Sequence, residues 1–398
     1  MNFLKLKHCI DEIKSKYNTP GIDCSVYKNH QEIFRYFIGK RDVENNIDIN
    51  GSELYTIYSM TKMLTCVCAL QLYEKGCYSL DEPVSKYLPE YAKMKIVSAT
   101  EAYGEDMNSI TSGINDGENY ACVGDRFAEN QIRIKDLFTM GAGLNYDLNA
   151  PAIKNAINNG KTTTRDIVAA ISETVLAFEP GTGFKYSLCH DVLGALIEIW
   201  SGKRFGKFME ENLLEPLSMT NTFFETSAKF SQMSAKMIEY KNINNHIVRC
   251  DRDNPFNITE DYESGGAGLI SSVSDYAVFL DALACGGIAK NGKKILEAST
   301  IKLMSQNHLS PSQYEDFQSL RPGYGYGLGV RTHVDKEKSK SLSPIGEFGW
   351  DGAAGSFSMV DTKNKISLTY FQEMLGWSIE IQSDIRNSLY KCIEEDLF

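Results

Sequence analysis

At 398 residues, 42% of them apolar and 23% charged, the chain has an ordinary globular composition and the length for a large core in two interlocked lobes. A net charge of -11 argues against nucleic acid or an anionic membrane surface as a partner, since both favour a positive face. The opening MNFLKLKHCIDEIKSKYNTPGI is charged every few positions and no run of about 18 apolar residues follows, which speaks against export and membrane spanning.

In chain order, the spacing predicts an amphipathic helix over Phe3 to Lys16, then two extended runs, Asp23 to Tyr27 and Glu32 to Ile38, joined at Lys28-Asn29-His30. Leu54 to Tyr58 reads as extended, and Met60 to Glu74 as a helix ended by Gly76. Helical segments follow at Ile134-Phe138, Thr164-Leu176, Val192-Trp200 and Phe205-Asn212. Beyond Gly265-Gly266 come helices at Val273-Leu283 and Ile295-Met304. Extended runs at Leu328-Thr332, Gly355-Val360 and Ile366-Phe371 follow, then a last helix over Ile381-Glu395.

Strand signals thus lie at both ends and helices fill the centre. The expected fold is mixed α/β (α+β): an antiparallel sheet drawn from both termini, flanked by helices, with an inserted all-helical lobe. The corresponding domains are 1–60 with 265–398 for the sheet lobe and 61–264 for the helical lobe. The polar, Gly-rich stretch 99–130 is a possible lid-like excursion. Ten cysteines, at 9, 24, 66, 68, 77, 122, 189, 250, 285 and 392, form no CxxC pair, and reduced thiols in a cytoplasm are the simpler reading. Cys66 and Cys68 point to different helix faces and fit no zinc spacing.

Four Ser-x-x-Lys spacings occur: Ser25/Lys28, Ser59/Lys62, Ser299/Lys302 and Ser388/Lys391. Chance predicts roughly one or two, so the spacing alone means little. Ser25 and Lys28 lie in a strand pattern that sends them to opposite faces, and Ser299 and Ser388 sit within amphipathic helices. All three read as solvent-facing coincidences. Ser59 instead follows an apolar extended run and opens a long helix, with Lys62 one turn on. The positive end of a helix disfavours a lysine cation, so Lys62 could serve as a base for Ser59. Ser59 as a plain N-cap beside a surface lysine explains the local sequence equally well.

Two further segments bear on this choice. Phe178-Glu179-Pro180-Gly181-Thr182-Gly183-Phe184-Lys185-Tyr186-Ser187-Leu188 reads as a turn and a short strand ending at Tyr186. Phe348-Gly349-Trp350-Asp351-Gly352-Ala353-Ala354-Gly355-Ser356 leads into a strand. With Tyr58-Ser59-Met60-Thr61-Lys62, they resemble the three-motif pattern of the serine β-lactamase and penicillin-binding-protein superfamily. Within it, the chain is similar to the class C-like branch of family VIII carboxylesterases, D-aminopeptidases and the acyltransferase of lovastatin synthesis. Ser79-Leu80-Asp81-Glu82-Pro83-Val84, Glu215-Pro216-Leu217-Ser218-Met219, Gly265-Gly266-Ala267-Gly268-Leu269 and Tyr326-Gly327-Leu328-Gly329-Val330 fall in the family's order as well.

The resemblance implies that Ser59 is acylated, that Lys62 helps remove its proton and that Tyr186 passes the proton to the leaving group. It implies an oxyanion hole from the N–H groups of Ser59 and Ala353, with Gly352 keeping the strand edge clear for substrate. Leu188 stands where many relatives carry an asparagine, and Trp350 where many carry Lys or His. Both changes remove polar partners for an amide side chain and a carboxylate. Unless Arg331 or another cation supplies that charge, an uncharged small ester or amide is the expected substrate. Hydrolysis is the first expectation. Acyl transfer is the alternative, or a β-lactamase or D-Ala-D-Ala carboxypeptidase-type activity. A non-catalytic ligand sensor is a distant third. The pattern implies no metal and no organic cofactor, and leaves oligomeric state open; His190 reads as structural.

Overall fold

The computed structural model describes residues 2–97, 126–227, 235–244, 246–250 and 254–395. An amphipathic helix, α1 (Leu4–Lys16), buries Leu6, Cys9, Ile10 and Ile13 on one face. It leads into β1 (Gly21–Lys28), β2 (Gln31–Asp42) and β3 (Ile47–Asp48). The β1–β2 turn is tight, with Asn29 and His30 both at positive φ, 47° and 69°. The other five strands of this sheet come from the far end of the chain. They are β4 (Tyr324–Tyr326), β5 (Arg331–His333), β6 (Phe348–Gly349), β7 (Phe357–Asp361) and β8 (Ile366–Phe371). The order is β4-β5-β6-β7-β8-β1-β2-β3, antiparallel at each step. The sheet is therefore closed between the two ends of the chain, at the β8–β1 pair.

Six consecutive residues of β1 are buried because both faces of the sheet are covered. Ile22, Cys24 and Val26 alternate onto one face, where they meet α1 and the last helix, α6 (Glu380–Glu395), through Ile381, Ile385 and Leu389. The other face packs on α4 (Val273–Ala284), whose Tyr276 ring stands 5.6 Å from that of Phe371. Between these sheet segments lie α2 (Thr61–Glu74), buried over twelve successive residues, and α3 (Cys189–Ser201) packed against it. A helix buried on all sides belongs at the centre of a large core.

Several local expectations are corrected. The helix expected to reach Leu176 stops at Ile171, where Ser172 and Thr174 hydroxyls donate to the Ala169 and Ile171 carbonyls at 2.7 and 2.8 Å. No strand delivers Tyr186: residues 184–186 are irregular and α3 begins three residues on. The run Leu328-Thr332 is extended only from Arg331, because Gly327 N–H donates to Val330 O at 2.7 Å in a tight turn. Gly329 sits there at φ 81°, where a Cβ would fall 2.2 Å from Cys66 Sγ. Helices Pro151–Asn158 and α5 (Pro311–Leu320) have no counterpart in the sequence reading. Ser25 is buried with its hydroxyl donating to Glu32 at 2.8 Å, not solvent-facing, and Ser388 is half-buried. Of the expected lid-like excursion, 99–125 lies outside the described residues. Arg126–Phe127 pairs antiparallel with Lys95–Ile96.

Candidate active site

Strand Tyr55–Thr56 ends in a single 3-10 turn, Tyr58–Met60, from which α2 continues. Ser59 therefore sits in a turn ahead of the helix, partly exposed, and Tyr58 before it is held at φ 43°. A non-glycine residue in that region is strained and persists only where its surroundings fix it. Here the Tyr58 hydroxyl donates to Glu239, and its ring packs against Phe256 at 6.3 Å. Met60 O, on the other side of Ser59, accepts from Tyr276 of α4 at 2.9 Å. The plain N-cap reading of Ser59 does not fit, because α2 begins after Met60 and has no side-chain cap.

The surface-lysine reading does not fit either, since Lys62 is fully buried. Its Nζ lies 3.3 Å from Ser59 Oγ, 3.0 Å from the Tyr146 hydroxyl and 2.8 Å from Gly266 O. Burial pulls its pKa down to about 8, against the opposing pull of Asp191. This arrangement constrains the protons. A neutral amine has two N–H groups and one lone pair, and Gly266 O can only accept. When Lys62 is neutral, Ser59 or Tyr146 must therefore donate to Nζ.

Tyr186 and Tyr146 stack, with ring centroids 5.6 Å apart and planes 14° apart, and both hydroxyls reach Ser59. Burial pushes both phenols up; hydrogen bonding to Ser59 pulls each back, and Trp350 pulls on Tyr186 as well. Trp350 Nε1 donates to the Tyr186 hydroxyl at 2.9 Å, so its one donor is turned inward to a neighbouring side chain. The Trp350 ring is fixed edge-on against Tyr326 at 5.0 Å.

Leu188 is buried at the start of α3, and its amide donates to Asn145 O at 3.1 Å, beside Tyr146. Ala353 lies in the turn Gly352 to Gly355, where Gly355 N–H donates to Gly352 O at 3.0 Å; Trp377 Nε1 donates to Ala353 O at 3.1 Å. Gly352 also has a packing reason to be glycine. A Cβ there would lie 2.6 Å from Ile57 O, so glycine lets this turn close against the Ser59 turn. Arg331 is no free cation: it is buried and paired with Glu347 at 2.9 Å. Arg321 is likewise paired, with Asp351 at 2.7 Å.

The sequence reading passed over Tyr146, three residues beyond Gly143 in the Gly141-Ala142 loop. It also passed over the support behind Lys62. Asp191 Oδ1, buried on α3, accepts from Tyr262 and Ser264 hydroxyls, each at 2.6 Å, and from Gly266 N–H at 3.4 Å. This fixes the carbonyl that holds Lys62. A Cβ at Gly266 would fall 2.6 Å from Asp191 Oδ2 and 3.3 Å from Lys62 Nζ; one at Gly265 would fall 2.3 Å from His190 O. His190 is buried with Nε2 3.4 Å from Cys66 Sγ, away from the Ser59 contacts, and burial drives its pKa well down.

No helix among the described residues is long and apolar enough to cross a membrane. The Beta-lactamase family profile matches residues 6–377. Protein Rv1367c of Mycobacterium tuberculosis is 27% identical over 345 residues, covering 84% of this chain and 80% of that one. Many solved structures share the fold, among them these two. One is EstCE1, described as a hydrolase with promiscuous acyltransferase activity (TM-score 0.76, 21% identity, covering 98% of this chain and 99% of that one). The other is unliganded simvastatin synthase (LovD) of Aspergillus terreus (TM-score 0.76, 19% identity, covering 98% of each chain). The chain belongs to the Beta-lactamase family, a family of serine hydrolases and acyltransferases.

Proposed function

We propose that this chain is an esterase that forms an acyl-enzyme on Ser59 from small uncharged esters or amides. The observation that carries the reading is the convergence of Lys62 Nζ, Tyr146 and Tyr186 on Ser59, with Lys62 shifted toward its neutral form. Ser59 Oγ attacks the substrate carbonyl while its proton passes to the neutral Lys62 amine. The Ser59 and Ala353 N–H groups hold the oxyanion. Tyr186 gives its phenolic proton to the leaving alcohol and is reprotonated by Lys62, and water then enters by the same route to release the acid. The roles rest on the motif positions and on these contacts.

Substrate class follows from what surrounds the serine. Tyr58, Phe256, Tyr146, Tyr186 and Trp350 make an aromatic cluster, with Phe256 5.6 Å from Tyr146 and Trp350 5.5 Å from Tyr186. Arg321 and Arg331 are each engaged by a carboxylate, and Trp350 spends its N–H on Tyr186. A substrate carboxylate would find neither partner there, which disfavours β-lactams and D-Ala-D-Ala termini. Acyl transfer is the second reading, favoured by the fold shared with EstCE1 and simvastatin synthase. It differs only in that a bound alcohol replaces water. We place the enzyme in the cytoplasm on its scattered cysteines, which form no CxxC pair.

Turnover of p-nitrophenyl butyrate, with and without an added primary alcohol, beside hydrolysis of a penicillin, tests the assignment. The ester should turn over, and the penicillin should lag by roughly 10- to 100-fold, the worth of one charged hydrogen bond. Equal rates on both would contradict the substrate class. A butyrate ester of the added alcohol as main product would favour the transferase.

A further inference from the structure

Away from Ser59, three side chains with ligand chemistry converge where the β1–β2 turn meets the end of α4. Their ligand atoms (on His30, Asp281 and Cys285) all lie within 4.8 Å of one another. His30 Nδ1 is 2.7 Å from Asp281 Oδ2, and the His30 backbone N–H donates to Asp281 Oδ1 at 3.0 Å. Cys285 Sγ is 3.7 Å from the same Oδ1. The residues come from parts of the chain 251 positions apart, which is why no sequence motif marks them.

We propose that His30, Asp281 and Cys285 form a binding site for a divalent transition metal of the zinc type. Each ligand is held by its backbone. His30 is fixed at φ 69° in the hairpin turn, and Asp281 and Cys285 lie one helical turn apart on the same face. In a tetrahedral zinc site, with bonds of about 2.0 to 2.3 Å, ligand atoms stand about 3.5 Å apart. The observed separations, 2.7 Å, 3.7 Å and none beyond 4.8 Å, need change by about 1.3 Å at most to reach that. A thiolate and a carboxylate together neutralise the ion's two charges, and the imidazole adds a neutral donor. Thiolate with imidazole selects zinc, cobalt or their neighbours over magnesium and calcium.

Binding releases the Cys285 thiol proton, and the one N–H proton of the neutral His30 ring sits on Nε2, which leaves the Nδ1 lone pair for the ion. Water completes the fourth position, since His30 is 27% exposed and Cys285 half-buried. The ion would clamp the hairpin turn to α4, the helix whose Tyr276 supports the Ser59 turn.

Cobalt(II) is the probe. The full chain, stripped with chelator, is titrated with Co(II) and then with zinc, alongside Cys285→Ser and His30→Ala. One Co(II) per chain should bind with a thiolate-to-cobalt absorption band, and zinc should displace it. Cys285→Ser should lose the band, and His30→Ala should weaken binding at least tenfold while keeping the wild-type circular dichroism. Zinc should raise the melting temperature of the wild type by several degrees and leave Cys285→Ser unmoved. No thiolate band at tens of micromolar Co(II), or a band that survives Cys285→Ser, would overturn the proposal. Ester turnover is read separately and does not bear on it.

Discussion

Lys62→Met should lower kcat/KM for p-nitrophenyl butyrate by about 10²- to 10⁴-fold, the range for loss of a well-placed general base. Methionine matches the stem of lysine in a site with no exposure, so the core around α2 keeps its packing. The fold should survive with the Gly266 carbonyl left short of a partner. In the wild type, the same group sets a pH dependence whose sign is fixed. Only the neutral amine can take a proton from Ser59, and burial holds Lys62 at about 8. The rate should therefore rise with pH through an inflection near that value. A profile flat between about pH 6 and pH 9, with a Lys62→Met enzyme of near-normal rate, would remove Lys62 from the mechanism.

Tyr186→Phe should cost about 10²- to 10⁴-fold in kcat, with a much smaller change in KM, because the hydroxyl acts on the proton in flight. The Trp350 contact gives a graded companion. Trp350→Phe leaves an aromatic surface and removes the N–H that donates to Tyr186 at 2.9 Å. The expected loss is about tenfold, one hydrogen bond to a group that carries partial charge in the transition state. If Trp350 instead served the substrate, Trp350→Phe would raise KM and leave kcat alone. Comparing the two variants by steady-state kinetics, with thermal melts to exclude unfolding, separates these outcomes. Tyr146→Phe run in parallel assigns the share of the second hydroxyl that reaches Ser59.

Much of this architecture can be read from residue pattern. The alternation of Ile22, Cys24 and Val26 and of Ile366, Leu368 and Tyr370 marks two strands that lie side by side. The contrast between charged ends and the stretch Met63 to Tyr73 of α2, apolar except at Thr65 and Gln71, marks the buried centre. What could not be read has identifiable causes. Tyr186 is carried by an irregular segment whose position depends on Gly183, Met140 and α5 contacts distant in sequence. The helix α5 carries a legible capping box at Ser310 and Gln313, but its weak apolar face hides it. Tyr146, Asp191 and Gly266 come together only through tertiary packing, because a hydroxyl, a carboxylate and a carbonyl leave no periodic trace. Gly352 was legible as a necessary glycine, yet its neighbour is Ile57 O, which no local pattern predicts.

The central claim is that Ser59 is the nucleophile, and intact-protein mass after brief exposure to a fluorophosphonate tests it most directly. Wild type should gain the mass of one adduct, and Ser59→Ala, run beside it, should gain none. Equal labelling of the two proteins, or no labelling of a wild type that turns over ester, would contradict it.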